Sequence, residues 1–148
     1  DGTQCLAVHI RHSDKAGLAR RKIPTEDFLP HIDAYLTNGG GQVYLATDSS
    51  RVLEYAQRNW RHVKLIAQGG IVRSAVRKPV FRQGSHNRTN AEVLVDILAM
   101  ARCQFMIHGY SAVSESTHYM NLGLHNRSVD LEDPDHMNIT EFGALVKR

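Results

Sequence analysis

Short apolar runs separated by segments of helical period recur along this 148-residue chain, and that alternation restricts its fold more than any other feature. The runs are Leu6–Ile10, Gln42–Ala46, Val63–Ala67, Phe105–Ile107 and Val129–Leu131. Between them, helices are expected within Thr25–Leu36, from a cap at Asp48 or Ser49 through Asn59, beyond the capping-box sequence Thr89-Asn90-Ala91-Glu92, and across Ser114–Leu122. Phe28, Leu29, Ile32, Tyr35 and Leu36 form the apolar side of the first. Val52, Leu53 and Ala56 serve the second, and Val93, Leu94, Ile97, Leu98 and Ala101 the third. Pro30 limits where the first helix can begin, and Asn38-Gly39-Gly40-Gly41 ends it. Strands alternating with helices of about ten to fifteen residues imply βαβ units and a parallel sheet. Right-handed crossovers then put every strand's carboxyl end on one edge, where ligands of open α/β sheets sit.

A chain of this length fits one domain with a real core. Its apolar fraction of 42 % and charged fraction of 22 % are those of an ordinary globular protein. No apolar run approaches the ~20 residues of a membrane-spanning helix. No secretory signal is visible, and the start on a strand without methionine leads us to expect a segment of a longer protein. The net charge of +3 is mild, and the cations cluster at Arg20-Arg21-Lys22 and among Arg73, Arg77, Lys78 and Arg82. Little aromatic interleaving accompanies them, which argues against nucleic acid and for a phosphorylated small molecule. Gln68–Asn90, with Gly69, Gly70, Pro79, Gly84 and five cations, reads as a long functional loop. Cys5 and Cys103 read as buried free cysteines; a disulfide between them requires adjacent strands and an oxidising compartment. Neither CxxC nor HExxH occurs and the nine histidines lack ligand spacing, so no metal is expected. P-loop and dinucleotide-dehydrogenase fingerprints are absent as well.

Strand ends at His9–Lys15, Thr47-Asp48 and His108–Ser111 are expected to converge on that edge and hold the chemistry. The first strand breaks abruptly into His9-Ile10-Arg11-His12-Ser13-Asp14-Lys15, too many charges and imidazoles for a connector. Arg11 offers a planar fork for a diphosphate and Lys15 a point charge; pairing of Arg11 with Asp14 or Asp48 is the structural alternative. His9, between Val8 and Ile10, faces away from them, as a ligand contact or a satisfied structural histidine. Gly109-Tyr110-Ser111-Ala112-Val113-Ser114 runs from a strand into a helix, presenting backbone N–H groups at a positive helix end. Asp96, on a largely apolar helix, needs either a protein cation or a donor group of a ligand base.

His9-Ile10-Arg11-His12-Ser13-Asp14-Lys15 resembles the H-[VI]-R-[RH]-x-[DN] motif of α-1,6-fucosyltransferases and bacterial chitooligosaccharide fucosyltransferases. The likeness continues through Val43-Tyr44-Leu45-Ala46-Thr47-Asp48, His86-Asn87-Arg88-Thr89 with Val95-Asp96-Ile97, Ala101-Arg102-Cys103 to Ser111, and Val129-Asp130-Leu131-Glu132-Asp133-Pro134, nearly the whole chain. It implies the carboxy-terminal, Rossmann-like donor domain of a GT-B glycosyltransferase, with an amino-terminal acceptor domain missing. The implied reaction is inverting, metal-independent transfer from GDP-fucose to a glycan acceptor, with no further cofactor. By position, Arg11 holds the β-phosphate with Lys15 nearby, His9 and Asp96 contact guanosine, and Tyr110, Ser111 and Ser114 lie at phosphate or ribose. Asp48 lies at the sugar or acceptor side, and Asp14, Asp48 and Glu26 are the candidates for the base. Animal-type members carry a glutamate, regarded as the general base, five residues after the motif's aspartate, where this chain has Ala19. That difference leaves the base open, and keeps a non-catalytic sugar-nucleotide or glycan-binding module and a protein O-fucosyltransferase as alternatives. The compartment is the Golgi lumen in a eukaryote and the cytoplasm in a bacterium. The sequons at Asn87, Asn126 and Asn138 do not decide between them.

Overall fold

A computed structural model describes residues 4–12, 22–71, 73–74 and 86–148. Five strands form one all-parallel sheet in the order β3-β2-β1-β4-β5. They are β1 (Cys5–Ile10), β2 (Gln42–Thr47), β3 (Leu65–Ile66), β4 (Phe105–His108) and β5 (Ser128–Asp130). All six residues of β1 are buried, as a central strand covered on both faces requires. Its register against β2 pairs Leu6 with Val43 and Ile10 with Thr47, and against β4 it pairs Leu6 with Phe105 and His9 with His108.

Period-two alternation divides the core. Leu6, Val8, Ile10, Val43, Leu45, Phe105 and Ile107 face one layer, formed by α1 (Leu29–Thr37), α2 (Ser50–Asn59) and α5 (Ile139–Val146). Cys5, Ala7, Ala46 and Met106 face the other, with α3 (His86–Met100) and α4 (Ala112–Met120). The side chains at Cys5, Ala7 and Ala46 are small, so the second layer sits close and Met100, Met106 and Leu124 fill the gap.

Several helix boundaries follow from local chemistry. A 3-10 turn over Thr25–Phe28 leads into α1, and Pro30 occupies its first turn, where a missing N–H is harmless. Gly39 ends α1 in the left-handed region at φ 96°, and a Cβ on Gly40 would stand 2.4 Å from the Tyr35 ring. Ser49 caps α2 by accepting from the Val52 N–H at 3.4 Å. Ser111 caps α4 through Val113 N–H at 3.1 Å, which starts that helix two residues before the expected Ser114. The third strand is shorter than Val63–Ala67, and Val63 joins the core beside Trp60 instead.

The structure corrects two expectations about α3. It begins at His86, so Thr89 lies inside it rather than at a cap, and Glu92 bonds Arg88 one turn back at 2.8 Å. The helix is also rotated from the expected face. Val93, Leu94 and Leu98 are 37–48 % exposed, whereas Thr89, Asp96, Ile97 and Met100 are buried. The buried stripe is half polar because it meets polar groups of β2 and the following loop, which an apolar template cannot register. We find no structural account of the exposed Val93, Leu94, Val95 and Leu98. No strand or helix was expected over α5, although Asn138 and Glu141 form a complete capping box there.

Cys5 and Cys103 are joined in a disulfide, not free. Because β4 is the neighbour of β1, the turn before β4 delivers Cys103 to the start of β1, with Gln104 N–H donating to the Cys5 carbonyl at 3.0 Å. The bond closes a 98-residue separation. The loop-entropy account gives about 4.7 kcal/mol for a loop of that size, and crosslinks typically contribute about 2–4 kcal/mol. The double variant Cys5→Ala/Cys103→Ala is therefore expected to lose about that much unfolding free energy in urea titrations. An unchanged midpoint would show that the crosslink does not constrain the unfolded chain.

Candidate functional site

The carboxyl edge of the sheet gathers the loops after β1, β2 and β4. At its centre a shallow concavity is lined by His9, Ile10, Arg11, His12, Ile23, Phe28 and Gly109. Arg11 and His12 are partly buried, and His9 and His108 lie side by side across the β1–β4 register, both buried. His9 faces away from Val8 and Ile10, as the alternation of β1 predicts.

The loops are tied to one another. Asp48 Oδ1 accepts from the His12 backbone N–H at 2.9 Å, and the His12 ring Nε2 meets the Ile23 carbonyl at 2.7 Å. The Asp48 carbonyl accepts from Ser74 N–H at 2.8 Å, and Ser50 N–H donates back to Ser74 at 3.1 Å. Arg73 donates through Nε to the Thr47 carbonyl at 3.1 Å and through Nη2 to the Gln68 carbonyl at 2.8 Å. Asp48 thus holds the backbone that carries Arg11 in place. Asp14, Lys15 and Ala19 lie outside the described residues, as does much of the expected loop within Gln68–Asn90.

Asp96 is 8 % exposed and its partner is a neutral group, not a bonded cation. The Tyr44 hydroxyl donates to Oδ1 at 2.7 Å. The Gln68 amide, with its nitrogen inward, donates to the same oxygen at 3.0 Å and to the Glu92 carbonyl at 3.1 Å. Burial raises the Asp96 carboxyl above its usual range, and the Tyr44 bond and the Arg73 charge oppose that rise. Burial and the same carboxylate push the Tyr44 phenol up. Oδ2 receives no hydrogen bond from the described residues.

The β4–α4 turn is more occupied than a bare anion cradle. Ser111 Oγ is used as the cap, and Ser114 Oγ donates to the Ser111 and Gly109 carbonyls at 2.8 and 3.1 Å. Ser114 is therefore a buried brace of the turn. The Tyr110 N–H donates to Glu132 Oε2, and Glu132 is itself held by Asp130 Oδ1 accepting from its backbone N–H at 3.0 Å. The Tyr110 ring is 44 % exposed. An anion at this turn meets the remaining amides of the α4 start, with the Glu132 carboxylate beside it.

Sequence reasoning passed over Tyr44, Gln68, Ser74 and Glu132. Tyr44 was legible: it stands between Val43 and Leu45, so the alternation that turned His9 to the α3 side turns Tyr44 the same way. Gln68, Ser74 and Glu132 lie in loops without a periodic signal. Among the described residues no cluster of three His, Cys, Asp or Glu could hold a metal ion.

These features define an α/β Rossmann-like domain whose polar residues collect at one end of a parallel sheet. No family model matches the sequence. The fold is that of the fucosyltransferase NodZ. The NodZ α-1,6-fucosyltransferase co-crystallized with GDP matches with a TM-score of 0.58 at 21 % identity, over 93 % of this chain and 41 % of that one. The same enzyme soaked with GDP-fucose matches at 0.58 and 22 %, over 93 % and 42 %. Fucosyltransferase NodZ from Bradyrhizobium matches at 0.56 and 21 %, over 93 % and 42 %. The chain spans about two fifths of the length of these structures.

Two expectations follow from the geometry. Tyr44→Phe leaves Asp96 with a weaker partner and should lower stability by about 1–3 kcal/mol in denaturant titrations; a change within error would remove the pair from the buried framework. His118, on α4, is stacked against His125 at 5.0 Å, meets the His108 ring edge at 5.0 Å and touches Ser128 Oγ at 2.8 Å. Burial first, then His108 and His125, lower it to about 4, against a pull from Asp130. The unfolded chain therefore takes this proton before the fold does. Stability should be full above pH ~6.5 and fall towards pH ~4 by at most roughly 3 kcal/mol, less what solvent screens. Urea midpoints against pH test this, and His118→Gln should flatten that limb.

Proposed function

We propose that the chain is the donor-binding domain of an inverting, metal-independent fucosyltransferase. It binds GDP-fucose, as part of a longer GT-B enzyme whose amino-terminal domain binds the glycan acceptor. The observation that carries the reading is the convergence of Arg11, the Asp48 latch and the capped start of α4 on one sheet edge. It stands in a fold shared with NodZ structures co-crystallized with GDP and soaked with GDP-fucose. The motif likeness of the β1 loop supplies the donor's identity.

In this reading the acceptor hydroxyl, a 6-hydroxyl of a GlcNAc-type sugar, attacks the fucose anomeric carbon from the face opposite the nucleotide. The bond from that carbon to the β-phosphate oxygen breaks and GDP departs. Arg11 and Lys15 neutralise the charge growing on the diphosphate, and the first amides of α4, positioned by Ser111, Ser114 and Tyr110, add partial positive charge. His9 and Asp96 Oδ2 face the guanosine. Asp48 keeps Arg11 at the phosphate through the His12 backbone. The hydroxyl proton passes to a base, for which the sequence offers Asp14, Asp48 and Glu26.

A second reading, a non-catalytic sugar-nucleotide or glycan-binding module, is favoured by one observation: Ala19 stands where relatives place their glutamate. A protein O-fucosyltransferase is the remaining enzymatic variant. Calorimetry with GDP is the test of the donor site. Binding is expected, and Arg11→Ala should weaken it about 10- to 100-fold through loss of charge-assisted bonds. Absence of GDP affinity, or indifference to Arg11→Ala, would remove the donor-site reading. Transfer from labelled GDP-fucose to chitooligosaccharide by the parent protein separates enzyme from binding module.

A further inference from the structure

The amino edge of the sheet carries chemistry that donor binding does not use. Cys5 opens β1, Cys103 stands just before β4, and Asn126 lies in a 3-10 turn, Leu122–Arg127, just before β5. All three therefore sit at the end of the sheet opposite Arg11 and the α4 start. The crosslink requires an oxidising compartment. Asn126-Arg127-Ser128 is an N-glycosylation sequon, and such sites are used where disulfides form in eukaryotic cells. Three of the seven asparagines open a sequon, where sixteen Ser and Thr in 148 residues would give fewer than one by chance.

We propose that this domain matures in a eukaryotic secretory compartment and that Asn126 carries an N-linked glycan. Asn126 is exposed, and its side-chain amide makes no hydrogen bond among the described residues. The two other sequons fit less well. Asn138 Oδ1 is committed to capping α5, accepting from Glu141 N–H at 3.0 Å. Asn87 lies in the first turn of α3, at the edge that holds the proposed donor loops, where a glycan would crowd them. In the transfer, the Asn126 amide nitrogen forms a bond to the anomeric carbon of an oligosaccharide carried on a lipid diphosphate. The bond from that carbon to the diphosphate breaks, the lipid diphosphate leaves, and the amide proton goes to a base of the host transferase. The Ser128 hydroxyl then serves the fold, donating to the Leu124 carbonyl at 2.7 Å. The glycan stands on the crosslinked edge and leaves the opposite edge open.

The test is secretion of this chain from a eukaryotic host, followed by peptide mapping after peptide N-glycosidase treatment in heavy-oxygen water. The expected result is a heavy-oxygen aspartate at position 126, a Cys5–Cys103 crosslinked peptide before reduction, and loss of one glycan step on a gel for Asn126→Gln. Recovery of unmodified asparagine at 126 in the folded, secreted chain would overturn the assignment, as would occupancy of Asn87 or Asn138 with Asn126 bare. Free thiols at Cys5 and Cys103 in that material would overturn the compartment.

Discussion

Everything in this domain depends on β1 lying between β2 and β4, parallel to both and buried along its whole length. A strand covered on both faces has no solvated side to which polar residues can turn, so charge accumulates only beyond its end. His9 marks the transition and Arg11 and His12 follow it. Parallel pairing also commits the loops of β2 and β4 to the same edge, so three loops far apart in sequence meet there.

Among the described residues, backbone contacts tie those loops together. Asp48 accepts from the His12 amide and its carbonyl accepts from Ser74, while Arg73 donates to carbonyls of Thr47 and Gln68. Bonds of this kind fix where a loop begins. The Tyr44–Asp96–Gln68 group does the same between β2 and α3. The opposite edge is built differently, around one covalent crosslink.

Much of this was legible in the residues. Strand positions and the facing of His9 follow from alternation, and the stop after α1 follows from Asn38-Gly39-Gly40. What escaped did so for physical reasons. The Cys5–Cys103 bond depends on which strands are neighbours, and strand order is not written in local periodicity. The face of α3 escapes an apolar template because its buried stripe includes Thr89 and Asp96, the latter bonded to Tyr44 and Gln68. The helix α5 has its signature in the capping box of Asn138 and Glu141 ahead of Phe142. At the site, Arg11 and Asp48 were recognisable as residues, but that Asp48 grips the His12 backbone is a matter of tertiary distance.

The central claim is that the carboxyl edge of this sheet is a nucleoside-diphosphate site and the amino edge is not. Backbone amide chemical shifts recorded during titration with GDP test it residue by residue. The account predicts that shifts concentrate at Arg11, His12, Asp48, Asp96 and Tyr110–Ser114, while Cys5, Cys103 and Asn126 stay still. Shifts centred on the amino edge, or none at saturating GDP, would contradict it.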